Sequence, residues 1–202
     1  MVGVVHTHGR VLVPPLLRGL LVTSLLAPGP GDPVILADFP ESTQSLGWNV
    51  VNDSVMGGRS EGDLRLEGRS LVFTGRTNTD GGGFSSIRSE AGRFDLGAFE
   101  GIRLRVRGDG RRYTFRLTTR DTREERRRPS YWADFETDAD DWEVIEVPFR
   151  RFRPRWRGRW LEGPALNTRA IDGLGLMIYD GKDGPFRLEV DWIGAYRAGE
   201  AP

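Results

Sequence analysis

The sequence predicts an all-β sandwich. Three observations predict it: side chains alternate with period two in segment after segment, glycine- and proline-bearing turns separate those segments, and no uninterrupted helical pattern of about a dozen residues occurs. Many short antiparallel strands joined by such turns imply two sheets, each burying one face against the other, as in a sandwich or jelly roll.

The elements follow in chain order. Leu64-Arg65-Leu66 and Leu71-Val72-Phe73 are short strand-like runs, and the Glu67-Gly68 pair turns the chain between them. Asp80-Gly81-Gly82-Gly83 reads as a flexible turn or bulge. Ile102-Arg103-Leu104-Arg105-Val106-Arg107 alternates strictly, so three aliphatics share one face and three arginines the other. After Gly108-Asp109-Gly110, Tyr113-Thr114-Phe115-Arg116-Leu117-Thr118 repeats that pattern. Glu143-Val144-Ile145-Glu146-Val147 is a shorter run of the same kind. Leu174-Gly175-Leu176-Met177-Ile178-Tyr179 is continuously apolar, the mark of a central strand covered on both faces. The turn Asp180-Gly181-Lys182-Asp183-Gly184-Pro185 leads into the last alternating strand, Phe186-Arg187-Leu188-Glu189-Val190-Asp191-Trp192-Ile193.

A chain of 202 residues fits one domain, expected over 32–198 with a tail at 199–202. Residues 1–31 stand apart, since Arg10 and Arg18 are their only charges and the run from Gly19 to Ala27 is apolar. That run is shorter than the roughly 20 residues a bilayer span needs. It fits either the core of a signal peptide or a disordered leader, which leaves cytoplasm and periplasm equally open as the compartment.

Composition narrows the chemistry. Lys plus Arg (29) balances Asp plus Glu (29), so no net field draws the whole molecule to nucleic acid or anionic lipid. Lys182 is the only lysine, and arginine supplies a flat forked donor rather than a point charge. Without cysteine there is no disulfide, thiolate metal site or thiol nucleophile. Both histidines, His6 and His8, lie in the leader, so a Ser-His-Asp triad or a histidine-ligated zinc is unavailable to the body. Composition leaves a glycosidase-like carboxylate pair open, with Asp134, Glu136, Asp180 and Asp191 as candidates only in the sense that every acid is.

Four segments could carry function. In Trp48-Asn49-Val50-Val51-Asn52-Asp53-Ser54-Val55-Met56-Gly57-Gly58-Arg59-Ser60, the side chains of Asn52, Asp53 and Ser60 either close a turn or offer oxygens to a ligand. Asp80-Gly81-Gly82-Gly83-Phe84-Ser85-Ser86-Ile87-Arg88 lacks the Gly-Lys-Ser/Thr ending of a phosphate loop, so nucleotide binding is rejected. Between Arg150 and Trp160, arginines interleave with Phe152, Trp156 and Trp160, a pattern suited to docking an acidic protein surface or to a solvated edge strand. Nucleic acid is not the expected partner, because Asp138, Asp140, Asp141 and Glu143 dilute the positive field nearby. The mixed charges from Asp121 to Arg128 read as a solvated loop.

Taken in order, these segments resemble the complex I intermediate-associated protein 30 family. The matching stretches are Trp48 with Val51 to Ser60, Gly82 to Arg88, Phe152 to Arg159, Ile171 to Tyr179, and Gly184 to Ile193. The resemblance implies a galactose-binding-domain-like jelly roll, similar in shape to some carbohydrate-binding modules. For mitochondrial members it implies a chaperone-like role as an assembly factor for respiratory complex I, with no catalytic residues to carry over. The expectation is therefore a non-catalytic protein-binding domain without cofactor or metal, its partner a respiratory-chain subunit or another membrane complex. The binding residues expected are Asn52, Asp53, Ser60, Arg88, Trp156, Arg157, Arg159 and Trp160. The alternative is a carbohydrate-binding module of the same fold, stacking sugars on Trp132, Trp156 or Trp160.

Overall fold

A computed structural model describes residues 34–39, 47–120 and 128–199. The proposed leader, residues 200–202 of the tail, and 121–127 of the mixed charge run lie outside the described residues. In chain order the strands are β1 Val34–Asp38, β2 Trp48–Asn52, β3 Glu61–Glu67, β4 Ser70–Thr77, β5 Ser85–Ser89, β6 Gly101–Arg107 and β7 Arg112–Thr119. They continue with β8 Ser130–Glu136, β9 Trp142–Pro148, β10 Arg153–Trp156, β11 Arg159–Trp160, β12 Ile171–Ile178 and β13 Gly184–Tyr196. Among the described residues the helical elements are short 3-10 turns, such as Asp53–Met56.

Two antiparallel sheets form. The first runs β3-β4-β13-β6-β9, with β1 against the far half of β13; the second runs β11-β10-β8-β7-β12-β5-β2. The all-β sandwich expected from period two is what the chain adopts. Ile102, Leu104 and Val106 of β6 are fully enclosed and meet Phe115 and Leu117 of β7 and Leu176 of β12 in one core. Burying apolar area from both sheets is the main force holding them together.

The outer face of β6 carries the three arginines, and each is answered. Arg103 bonds Glu146 at 2.6 Å, Arg105 bonds Asp191 at 2.5 Å, and Arg107 bonds Glu189 at 2.6 Å. Arg103 is covered rather than solvated, because it also lies over the Tyr196 ring at 5.1 Å.

The last strand departs from strict alternation. Phe186, Leu188 and Val190 point inward, and unbroken alternation would send Trp192 after them. A bulge between Val190 and Trp192 shifts the register, so Ile193 and Ala195 enter the core and Trp192 stays half-buried opposite Arg105. Strand β12 is an interior strand of the second sheet, between β7 and β5, as its apolar run predicts: Leu174, Leu176 and Ile178 face the core, and Met177 is buried on the opposite side.

Candidate functional site

What covers Met177 is a cleft of about 350 Å³ on the outer face of the second sheet. Its floor follows from strand register. Gly175 of β12 stands opposite both Arg88 of β5 and Arg116 of β7, Arg116 stands opposite Trp132 of β8, and Trp132 opposite Arg153 of β10. Directly opposed residues share a face. The sheet therefore lays Arg88, Arg116 and Trp132 in one row, with a glycine between the two arginines. A Cβ at Gly175 would lie 3.1 Å from the Ile87 carbonyl oxygen, a tight contact with the neighbouring strand's backbone, and in ordinary contact with the two arginine stems at 3.6 and 3.7 Å.

Two rims enclose this floor. One is the β10–β11 hairpin, whose two-residue loop, Arg157 and Gly158, has φ of 44° and 79°. Paired positive φ values suit the tight turn that matches strand twist. Arg157 lies over the Trp156 ring at 4.8 Å, and both line the cleft. Arg155 sits among the rings of Trp132, Trp160 and Tyr179 at 4.3, 4.7 and 5.1 Å, and donates to the Gly158 carbonyl. Trp132 in turn donates to Ser130 Oγ at 2.7 Å, which fixes its ring.

The other rim is the knuckle Val55-Met56, with Gly82 and Phe84 beside it. Val55 and Met56 are 71% and 66% exposed. One buried carboxylate holds this rim together. Asp53 accepts from Ser60 N at 2.8 Å, Ser60 Oγ at 2.6 Å, Gly83 N at 2.6 Å and Phe84 N at 3.2 Å. Burial alone would raise its pKa, but these hydrogen bonds outweigh burial and hold it below the ordinary carboxylate value. The flanking glycines are a steric requirement: a Cβ at Gly58 would fall 2.2 Å from Asp53 Cγ, and one at Gly82 2.3 Å from Asp53 Oδ2. The triple glycine is thus the closed half of a carboxylate cradle rather than a flexible turn.

The expected binding residues separate accordingly. Arg88, Trp156 and Arg157 line the cleft. Asn52, Asp53 and Ser60 engage the protein itself, Asn52 accepting from Ser85 Oγ at 2.6 Å, and they position the rim rather than line the cleft. Arg159 and Trp160 lie on the exposed edge strand β11, Trp160 touching the cleft through Arg155 and Trp132. Sequence reasoning missed Arg116, included Arg155, Met177 and Tyr179 only within longer stretches and not among the binding residues, and took Arg128 for part of a solvated run. The one local signal was Gly175, a glycine inside an apolar strand.

Electrostatically the cleft is one-sided. Arg88, Arg116, Arg128, Arg155 and Arg157 line it, and among the described residues no carboxylate does. Arg128 is held by Asp172 and the Thr119 carbonyl. Arg88 and Arg116, both half-buried, have no hydrogen bond or ion pair among the described residues, and Arg88 Nε is buried without a partner. Burial lowers the pKa of Arg88; burial and then the neighbouring Arg88 charge bring Arg116 down to about 10. Both remain cationic at neutral pH. Of the four acids left open to a hydrolytic role, Asp180 and Asp191 are tied to Arg111 and Arg105, and Asp134 accepts from Thr114 Oγ1 at 2.6 Å.

Comparison with known proteins agrees with this architecture. The family model for Complex I intermediate-associated protein 30 matches residues 37–190. The mitochondrial protein of that name from Mus musculus is 29% identical over 184 residues, 80% of this chain and 56% of the relative. Its Drosophila melanogaster counterpart is 27% identical over 192 residues, 82% of this chain and 63% of the relative. The chain thus spans roughly three-fifths of those relatives' length. An uncharacterised Schizosaccharomyces pombe protein is 30% identical, covering 80% of this chain and 83% of that one. Among solved structures, the family 11 carbohydrate-binding module of a Clostridium thermocellum cellulase superposes with a TM-score of 0.60 at 18% identity, covering 84% of this chain and 97% of that one. This likeness supports the β-sandwich expected from sequence and speaks to fold alone. No helix among the described residues is long and apolar enough to cross a membrane. The mouse and fly relatives are mitochondrial by name, and none of these matches supports export to a periplasm. The chain belongs to the Complex I intermediate-associated protein 30 family.

Proposed function

We propose that this chain is a binding module that grips a protein partner through the cleft of its second sheet, acting as an assembly factor for a respiratory membrane complex of the complex I type rather than as an enzyme. The observation that carries this reading is the pairing of an arginine- and aromatic-lined cleft with the exposed apolar knuckle Val55-Met56 at its mouth, in a family whose relatives are named for a complex I intermediate. Aromatic and arginine anchors beside exposed apolar side chains are what protein interfaces use. The lining is suited to holding rather than to proton transfer, since arginine stays protonated and the body carries no imidazole or thiol.

A neutral glycan is supported only by likeness of fold. Sugar hydroxyls both donate and accept, whereas guanidinium groups only donate. The test is a pull-down from the native host with the purified chain and a Trp156→Ala/Arg157→Ala variant. Wild type is expected to enrich respiratory-chain subunits, and the folded variant to lose at least tenfold of that enrichment. Equal capture by both proteins, or no respiratory subunit with wild type, would contradict the reading.

A further inference from the structure

Burying one unpaired cation is costly, and burying two side by side costs more, because each disfavours the other's charge. In a cleft, such a pair without an internal counter-charge marks a candidate site for a ligand of opposite charge. Arg88 and Arg116, side by side, half-buried and without a hydrogen bond or ion pair among the described residues, approach that description. They flank Gly175, two strand spacings apart, which is about 10 Å between their Cα atoms. Every other arginine described above as lining or bordering the cleft has an internal use: Arg128 on Asp172, Arg155 within its ring cluster, and Arg157 over Trp156.

We propose that Arg88 and Arg116 form a receptor for an oxyanion, a carboxylate or phosphate group, whose adjoining apolar part rests on Met177 and Trp132. The inference rests on the cleft being the binding site and adds the chemistry of what enters it. Donor-only forks facing an acceptor-only group give charge-assisted, directional hydrogen bonds.

The test uses the whole chain at constant ionic strength, with sodium chloride replaced stepwise by inorganic phosphate. A second series uses the capped tripeptide acetyl-Glu-Glu-Glu-amide against acetyl-Gln-Gln-Gln-amide. The thermal midpoint is expected to rise by about 3–6 °C once the better anion exceeds its dissociation constant tenfold. The Nε–H resonances of Arg88 and Arg116 should shift along the same saturation curve. The Arg88→Met/Arg116→Met variant should melt higher than wild type in chloride and gain nothing from either anion, whereas arginines that merely support the fold would leave it melting lower. A larger response to the glutamate peptide assigns the anion to a carboxylate, and a larger response to phosphate assigns it to a phosphate. The proposal is overturned if neither resonance moves beyond the chloride control, or if the variant responds as wild type does. Undiminished capture of respiratory subunits by this variant would also overturn it while leaving the docking reading standing. Failure of wild type to capture any partner, with both resonances still shifting, would count against docking alone.

Discussion

Asp53 shows how one side chain can organise a surface it does not itself present. Its carboxylate is fully enclosed and accepts four hydrogen bonds from three residues on two separate loops. Those bonds place its pKa in the folded protein below the ordinary value near 3.9. The sign follows from linkage: stability from Asp53 is fully present above the unfolded-state value and is lost as pH falls through the folded-state value. Asp53→Asn is therefore expected to cost roughly 2 kcal/mol at pH 7, since an amide NH2 would face backbone donors. Denaturant unfolding measured from pH 7 to pH 2 should show the two proteins converging in acid; a constant gap across that range would contradict the account. The sequence named Asp53 and Ser60 as the residues of interest but left their role open between a turn and a ligand site. The long-range pairing of residues 53–60 with 82–84 gives both a structural role, and no local pattern carries that.

At the scale of elements, the glycine loops and the hairpin differ in what the sequence could reveal. Alternation in β6 and β7 was legible because each strand carries its own inside and outside. The cleft was not, because it is built across strands: the Arg88–Gly175–Arg116 row exists only once three strands far apart in sequence fall into register. The bulge in β13 was invisible for the same reason, since it answers the pairing with β6 rather than any local preference. Gly82 offers a test of the loop packing. Gly82→Ala drives a methyl group to 2.3 Å from the Asp53 carboxylate, which should destabilise the chain by about 1–3 kcal/mol. Gly57→Ala reads a different cost, that of its left-handed φ of 88°, since its Cβ would meet nothing within 4 Å. A Gly82→Ala protein as stable as wild type by denaturant unfolding would show that the cradle is looser than the geometry states.

The whole molecule divides its labour between two faces. On the first sheet, arginines pair with acids and close the surface electrostatically, as Arg103, Arg105 and Arg107 do. On the second, arginines gather around a cleft with an apolar lip that no carboxylate among the described residues lines. A chain of zero net charge can therefore still present a strongly positive site, which the overall balance of charges conceals. The most direct measurement places a photo-crosslinking amino acid at Met56, on the cleft rim, and separately at Val144, which is 38% exposed on the first sheet. With native-host extract, adducts to respiratory-chain subunits are expected from position 56 and not from 144. Adducts from 144 with none from 56 would contradict the claim that the cleft face is where this protein binds.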